Sequence, residues 1–131
     1  MAEPIGSYER DLHRVFAERR TPSEDWVHVL NKDIGDALDE YCDDTHFHEV
    51  QDPLVLVGSS GCGKSTALAN WLEKRRLAQA RRMRLSSLNP KEEFLFWHAA
   101  GCSRQSTFVG HMLRRLMMEM KKHFEIAREV P

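Results

Sequence analysis

The segment Gly58–Ser65 has residue types and a spacing that suit the binding of phosphate groups. Its residues, Gly-Ser-Ser-Gly-Cys-Gly-Lys-Ser, match the pattern G-x-x-x-x-G-K-S, which forms a phosphate-binding loop between a strand and a helix. Glycines allow the backbone to curl so that its N–H groups converge on phosphate oxygens, and the N-terminus of the next helix favours negative charge. The pattern therefore predicts a site for the phosphates of a nucleotide.

Individual positions of this loop have expected roles. We expect Lys64 to reach the β- and γ-phosphates and the hydroxyl of Ser65 to bind Mg²⁺, while Thr66 continues the same helical turn. The expected cofactor-binding residues are Gly58, Ser59, Ser60, Gly61, Cys62, Gly63, Lys64, Ser65 and Thr66. A glycine-rich turn without a ligand is the alternative, but such a turn has no need of a lysine at this position.

The elements around the loop follow the order β-α-β-α. The apolar run Pro53 to Val57 and the aromatic run Phe94 to Ala99 predict two buried strands. Apolar spacing predicts a helix from about Lys64 to beyond Ala80 and a last helix over Val109 to Phe124. We therefore expect an α/β fold, a partial P-loop NTPase with parallel strands over residues 51–131. Ser106 or Thr107 can cap the last helix.

Residues 1–50 are predicted to form an N-terminal helical segment and an acidic loop. Ser7 can cap one helix that ends near Arg20, and Ser23 can cap a second with apolar residues from Val27 to Tyr41. Gly35 could mark a break in the second helix, because glycine in a helix interior costs about 1 kcal/mol.

Composition and charge are those of an ordinary globular domain. The chain has 131 residues, a formal net charge of −1 and 41% hydrophobic residues, which gives no indication of nucleic-acid or membrane binding. Its three cysteines lack a paired spacing and favour a reducing compartment, so we expect a cytoplasmic protein.

Several segments together resemble one protein family. They are the loop with its preceding apolar run, Leu68-Ala69-Asn70-Trp71-Leu72, the stretch from Trp97 to Thr107 and Leu113-Arg114-Arg115-Leu116. Roughly from residue 53 onward, the chain resembles nephrocystin-3-like proteins, which are NACHT-type (STAND) signalling ATPases. The resemblance implies ATP and Mg²⁺ as cofactors, a scaffold with protein partners bound through neighbouring domains, and an association with cilia. The segment from Gly101 to Thr107 follows the second predicted strand at its carboxyl end, where ligands lie in open α/β sheets. Ser103 and Arg104 could therefore touch the nucleotide or an attacking water, and a capping and turn role is the alternative.

The chain departs from this family in lacking an acid-bearing strand. ATP hydrolysis needs an apolar strand that ends in an acid, and in the family this strand follows the helix on which the chain ends. The segment Asp36-Ala37-Leu38-Asp39-Glu40 precedes the loop and has a helical pattern. In the family's sheet, moreover, the two predicted strands are not neighbours. We therefore expect a fragment or truncated isoform that binds ATP with little or no hydrolysis and has no catalytic residues of its own.

Other interpretations stay open. A non-catalytic helical fragment, with helices over residues 7–42 and 107–125, could bind partners of a full-length scaffold protein. A small P-loop kinase would need a lid, for which Arg75, Arg76, Arg81 and Arg82 could be nominated. Cys42, His46, His48 and Asp43 or Asp44 include metal-ligand types but lack a second cluster, so an exposed loop is the simpler interpretation. The methionine-bearing stripe from Val109 to Phe124 is expected to pack in the core. Arg114, Arg115, Lys121 and Lys122 are expected to lie largely on the other side of this helix.

Overall fold

The structure, a computed structural model, describes residues 5–21, 31–43, 51–86 and 93–130. These ranges contain the helices α1 (Ile5–Glu18), α2 (Lys32–Asp43), α3 (Lys64–Leu85) and α4 (Val109–His123), and one short 3-10 helix (Gln105–Thr107). The chain divides into two compact units. The first unit comprises Met1–Arg19 and Gln79–Pro131, and the second comprises Arg20–Ala78. The predicted domain boundary between residues 50 and 51 stays a prediction.

The predicted α/β fold with parallel strands is wrong for the described residues, none of which forms a β-strand. The runs Pro53 to Val57 and Phe94 to Ala99 have no regular secondary structure. Val55 is 71% exposed and Val57 is 84% exposed, whereas a strand of a parallel sheet is buried on both faces. A strand is stabilised by hydrogen bonds to a neighbouring strand. Apolar composition alone therefore did not produce a strand in these runs. The described residues do not show the predicted partial P-loop NTPase architecture.

The predicted N-terminal helix is confirmed as α1, which packs against α4 in the first unit. Ser7 lies inside α1 instead of capping it. The most buried described side chain of α1 is His13, at 2% exposure, whereas Tyr8 is exposed.

The predicted second helix is confirmed over the residues of α2, and its cap is Asn31. The Asn31 Oδ1 atom accepts hydrogen bonds from the backbone N–H groups of Asp33, at 2.9 Å, and Ile34, at 3.4 Å. Such a cap satisfies donors that the first turn of a helix leaves without partners. Gly35 is buried within α2 and marks no break. The expected cap Ser23 and the residues Val27 to Leu30 lie outside the described residues.

The helix predicted after the loop is confirmed as α3, which begins at Lys64. Arg82 and Arg84 lie in its last turn, where positive charge favours the helix dipole. The predicted last helix is confirmed as α4, but neither Ser106 nor Thr107 caps it. Its N-cap residue is Phe108, which makes no side-chain capping bond, because Ser106 and Thr107 belong to the preceding 3-10 helix.

Candidate functional site

The loop before α3 takes its curvature from two glycines. Gly61 has a φ of 77° and Gly63 has a φ of 92°, in the left-handed region that side-chain-bearing residues rarely adopt. No heavy atom lies within 4 Å of a Cβ built on either residue, so the requirement for glycine is conformational and not steric. The spacing of the two glycines in the sequence therefore has a direct structural reason.

The side chain of Lys64 folds back over this loop. Its Nζ atom donates hydrogen bonds to the carbonyl oxygens of Gly58 and Ser59, both at 2.7 Å, and lies 3.7 Å from the Cys62 Sγ atom. The backbone N–H of Cys62 donates to the Ser59 carbonyl at 3.3 Å. The positive charge of Lys64 is thus held against the backbone of the loop.

A close contact fixes the start of the loop. A Cβ atom on Gly58 would lie 2.7 Å from the Cys62 Sγ atom, closer than such atoms can approach. Glycine at position 58 and the small thiol at position 62 therefore fit together. Residues 58 to 63 and Ser65 are exposed, while Thr66 is half-buried, so the loop and the hydroxyl of Ser65 are open to a ligand.

The N-terminus of α3 completes the loop. The backbone N–H of Ala67 donates to the Gly63 carbonyl at 2.8 Å, which begins the helical hydrogen-bond ladder. The N–H groups that precede Ala67 in this turn have no acceptor within the helix, because the first N–H groups of any α-helix lack one. They create a partial positive charge at the position where the sequence predicts phosphate.

Contacts within the second unit hold α3 in place. Ala67, Ala69 and Trp71 are buried, and the Trp71 Nε1–H group donates to the Asp39 Oδ1 atom of α2 at 2.8 Å. Arg75 pairs with Asp39 at 3.5 Å and with Asp43 at 2.8 Å. The helix that carries Lys64 and Ser65 is therefore attached to α2 by two side chains, Trp71 and Arg75.

The nearest acidic candidates in sequence are engaged in other contacts. Asp39 accepts from Trp71 and Arg75, and Asp36 forms an ion pair with Lys32 on the surface of α2. The acidic segment Asp36 to Glu40, which precedes the loop, is helical as expected. Its two aspartates pair with side chains of α2 and α3.

Ser103 and Arg104 were predicted to lie near the nucleotide from their position after the second predicted strand. They belong to the first unit, whereas the loop belongs to the second. The Ser103 Oγ–H group donates to the Glu9 Oε2 atom at 2.8 Å, and the same oxygen accepts from the Ser106 N–H at 3.0 Å. Arg104 is exposed, and its carbonyl accepts from the Thr107 hydroxyl at 3.2 Å. These bonds give Ser103 and Arg104 a role in the turn before α4.

The metal-ligand types near residue 42 do not form a described site. Across residues 5–21, 31–43, 51–86 and 93–130, no group of three or more His, Cys, Asp or Glu residues is placed to hold a metal ion. Asp44, His46 and His48 lie outside these ranges. In the same ranges, no helix has both the length and the apolar character that a membrane span requires.

The structure brings together a second group of residues that was not predicted from the sequence. Glu9 and His13 of α1, His98, and Arg115 of α4 line one cavity in the first unit. Arg115 was expected on the outer side of its helix and is instead 6% exposed. A polar residue inside an apolar helical stripe, such as His13 between Leu12 and Val15, is the sequence signal that could have indicated this cluster.

Comparison of the chain with protein-family models, with curated proteins and with solved structures found no match in any of the three. The resemblance to NACHT-type ATPases therefore stays a prediction, and the function has to be inferred from the residues of the chain.

Proposed function

We propose that the loop Gly58–Ser65 binds the phosphates of ATP together with Mg²⁺, with little or no hydrolysis. The observation that carries this proposal is the position of Lys64, whose ammonium lies 2.7 Å from two loop carbonyl oxygens. A cation held over a glycine-rich loop at a helix N-terminus combines three features that favour a phosphate: positive charge, accessible N–H groups and the helix dipole.

Binding would change the partners of Lys64. In the proposed complex, the ammonium exchanges its carbonyl acceptors for oxygens of the β- and γ-phosphates, which carry a full negative charge and accept stronger hydrogen bonds. The exposed hydroxyl of Ser65 becomes a ligand of Mg²⁺, and the N–H groups of the loop and of Thr66 surround the phosphates.

Hydrolysis would need a group that positions the attacking water, usually an acid or an amide side chain. We assign no residue to the positioning of this water, because Asp36 and Asp39 have other partners. We therefore propose a nucleotide-binding module and not an autonomous ATPase. The choice of ATP over GTP as the proposed ligand comes from the family resemblance. Both nucleotides should therefore be tested.

A titration with a fluorescent ATP analogue tests the proposal. The variant Lys64→Ala should bind at least about tenfold more weakly, because a hydrogen bond to a charged group contributes about 1.5–3 kcal/mol. Lys74→Ala is the matched control, since Lys74 is an exposed residue of the same helix, and this variant should bind like the unmodified chain. Equal affinities for the unmodified chain and Lys64→Ala would contradict the proposal. A parallel titration with a GTP analogue measures the base preference.

A second candidate function is favoured by an exposed apolar stripe on α4. Its residues are Val109, Leu113, Met117, Met120 and Phe124. Their spacing places them on one face of the helix, and the prediction that they pack in the core is wrong for these five residues. Exposed apolar patches often mark protein-binding surfaces. A non-catalytic helical module that binds a protein partner is therefore the alternative to nucleotide binding.

The two candidate functions respond differently to substitution. If α4 is the functional surface, Leu113→Asp should abolish partner capture and Lys64→Ala should leave it intact. Loss of capture in Lys64→Ala, with capture retained in Leu113→Asp, would contradict the second function.

A further inference from the structure

The first unit contains a cavity of about 290 Å³ between α1, the turn before α4, and α4 itself. Its volume is near the lower end of the range of about 300–1,000 Å³ that is typical of small-molecule sites. The wall includes Met112 and Met118, and also the polar residues Glu9, His13 and Arg115. Sites for small organic ligands combine apolar contacts with placed polar groups. Here Met112 and Met118 supply the apolar side chains, and the other lining residues are polar or charged.

His13 lines this cavity and has a buried ring nitrogen without a hydrogen-bond partner in the described part of the chain. Its Nδ1 atom accepts a hydrogen bond from the Ala99 backbone N–H at 3.0 Å, so in the neutral ring the proton resides on Nε2. The Nε2 atom is buried and has no hydrogen-bond partner among the described residues. Burial, together with the charges of Arg115 and His98, lowers the pKa of His13 to about 4, so the ring is neutral at pH 7.

Arg115 is a second lining residue with a buried N–H group that lacks a partner within the described ranges. Its Nη1 atom pairs with Glu119 at 2.6 Å, its Nη2 atom donates to the Trp97 carbonyl, and its guanidinium lies 4.2 Å from the centre of the Phe96 ring. Its Nε–H group is buried and has no partner among the described residues. Buried polar groups without partners are rare, and each one calls for an explanation such as a bound water, ion or ligand.

We propose that this cavity binds a small organic monocarboxylate, whose carboxylate accepts hydrogen bonds from His13 Nε2 and Arg115 Nε and whose apolar body contacts Met112 and Met118. Because both N–H groups are covered by protein atoms, binding includes a small rotation of the two side chains toward the ligand.

The charges of the wall select for a single negative charge. Arg114 lies in the wall and adds a positive charge. Glu9 opposes it, and its carboxylate is held there by the hydroxyl of Ser103 at 2.8 Å. A second negative charge on the ligand would be repelled by Glu9, so a phosphate monoester or a dicarboxylate fits this site less well than a monocarboxylate.

A titration with benzoate and with its uncharged analogue benzamide, followed by NMR of the histidine rings and of the arginine Nε–H groups, tests this proposal. Benzoate should shift the His13 and Arg115 signals in a saturable way, and benzamide should bind at least about tenfold more weakly, since it lacks the charge. Equal binding of the two probes, the absence of saturable shifts with benzoate, or shifts confined to residues outside the cavity would overturn the proposal.

Variants on the exposed side of α4 sharpen the test without touching the buried cluster. Arg114→Gln should weaken benzoate binding severalfold and leave benzamide binding unchanged, whereas Lys122→Gln should leave both unchanged, because Lys122 is exposed and does not line this cavity. If Arg114→Gln and Lys122→Gln changed benzoate binding to the same extent, the proposed role of the Arg114 charge would be contradicted. Lys64→Ala should retain benzoate binding, so this proposal and the nucleotide proposal can fail separately.

Discussion

The two candidate sites are built from different parts of the chain. The loop at residues 58–65 is exposed and presents backbone groups around one lysine. The cavity in the first unit is walled by side chains, three of which, His13, Ser106 and Arg115, are buried. The loop depends on backbone dihedral angles and should be sensitive to substitution of its glycines. The cavity depends on the protonation and hydrogen bonding of buried groups and should be sensitive to pH.

The largest effect that we expect is destabilisation of the chain by acid through His13. The pKa of His13 is lowered by burial, and then by Arg115 and His98, from 6.5 to about 4, so between these values the unfolded chain binds a proton that the folded chain does not. The stabilisation is fully present above about pH 6.5 and is lost as the pH falls toward about 4, by up to about 3 kcal/mol. Denaturant unfolding across this pH range measures the change.

The variant His13→Gln is the control for this effect. Glutamine does not titrate, so the free energy of unfolding should depend less on pH in this variant, while the other groups near position 13, Glu9, His98, Cys102 and Arg115, are unchanged. An unchanged pH profile in His13→Gln would show that the sensitivity lies elsewhere.

Substitution of a loop glycine should have the next largest effect. Gly63→Ala places a side chain on a residue with a φ of 92°, which costs about 1–2 kcal/mol, and it should also weaken binding of the ATP analogue. Gly110→Ala is the matched control, since Gly110 lies in α4 and a Cβ atom added to it would have no heavy atom within 4 Å. Alanine there should stabilise the helix by up to about 1 kcal/mol. In thermal unfolding, Gly63→Ala should lower the melting temperature and Gly110→Ala should raise it.

The smallest expected effect concerns the attachment of α3 to α2. Trp71→Phe removes the hydrogen bond to Asp39 and should cost about 1 kcal/mol more than Trp97→Phe. The indole Nε1 of Trp97 is buried without a hydrogen-bond partner among the described residues, so both variants lose the same side-chain volume and only the first loses a bond. Equal unfolding free energies would mean that the Trp71 bond contributes nothing.

The features predicted correctly from the sequence are local ones. The start of α3 at Lys64 follows from apolar spacing within a few turns, and the left-handed angles of Gly61 and Gly63 are what the loop pattern requires. These features depend on residues close together in the chain. The same holds for the presence of α1, α2 and α4.

The features that could not be predicted depend on contacts between distant segments. The apolar run Pro53 to Val57 has the composition of a strand, but strand formation depends on a partner that the run itself does not specify. Helical spacing predicted that Arg115 lies on the side of the last helix opposite the methionine-bearing stripe. Its burial depends on the carbonyl of Trp97 and on the ring of Phe96, which lie in another segment, and a helical pattern gives no information about them.

The most direct test of phosphate binding by the loop is a calorimetric titration with ATP, ADP and adenosine in the presence of Mg²⁺. If Lys64, Ser65 and the loop N–H groups hold the phosphates, the affinity should fall from ATP to ADP, and adenosine should not bind measurably. Lys64→Ala should reduce the difference between ATP and adenosine at least about tenfold. Adenosine binding as tightly as ATP, or an undiminished preference for ATP in Lys64→Ala, would contradict this account.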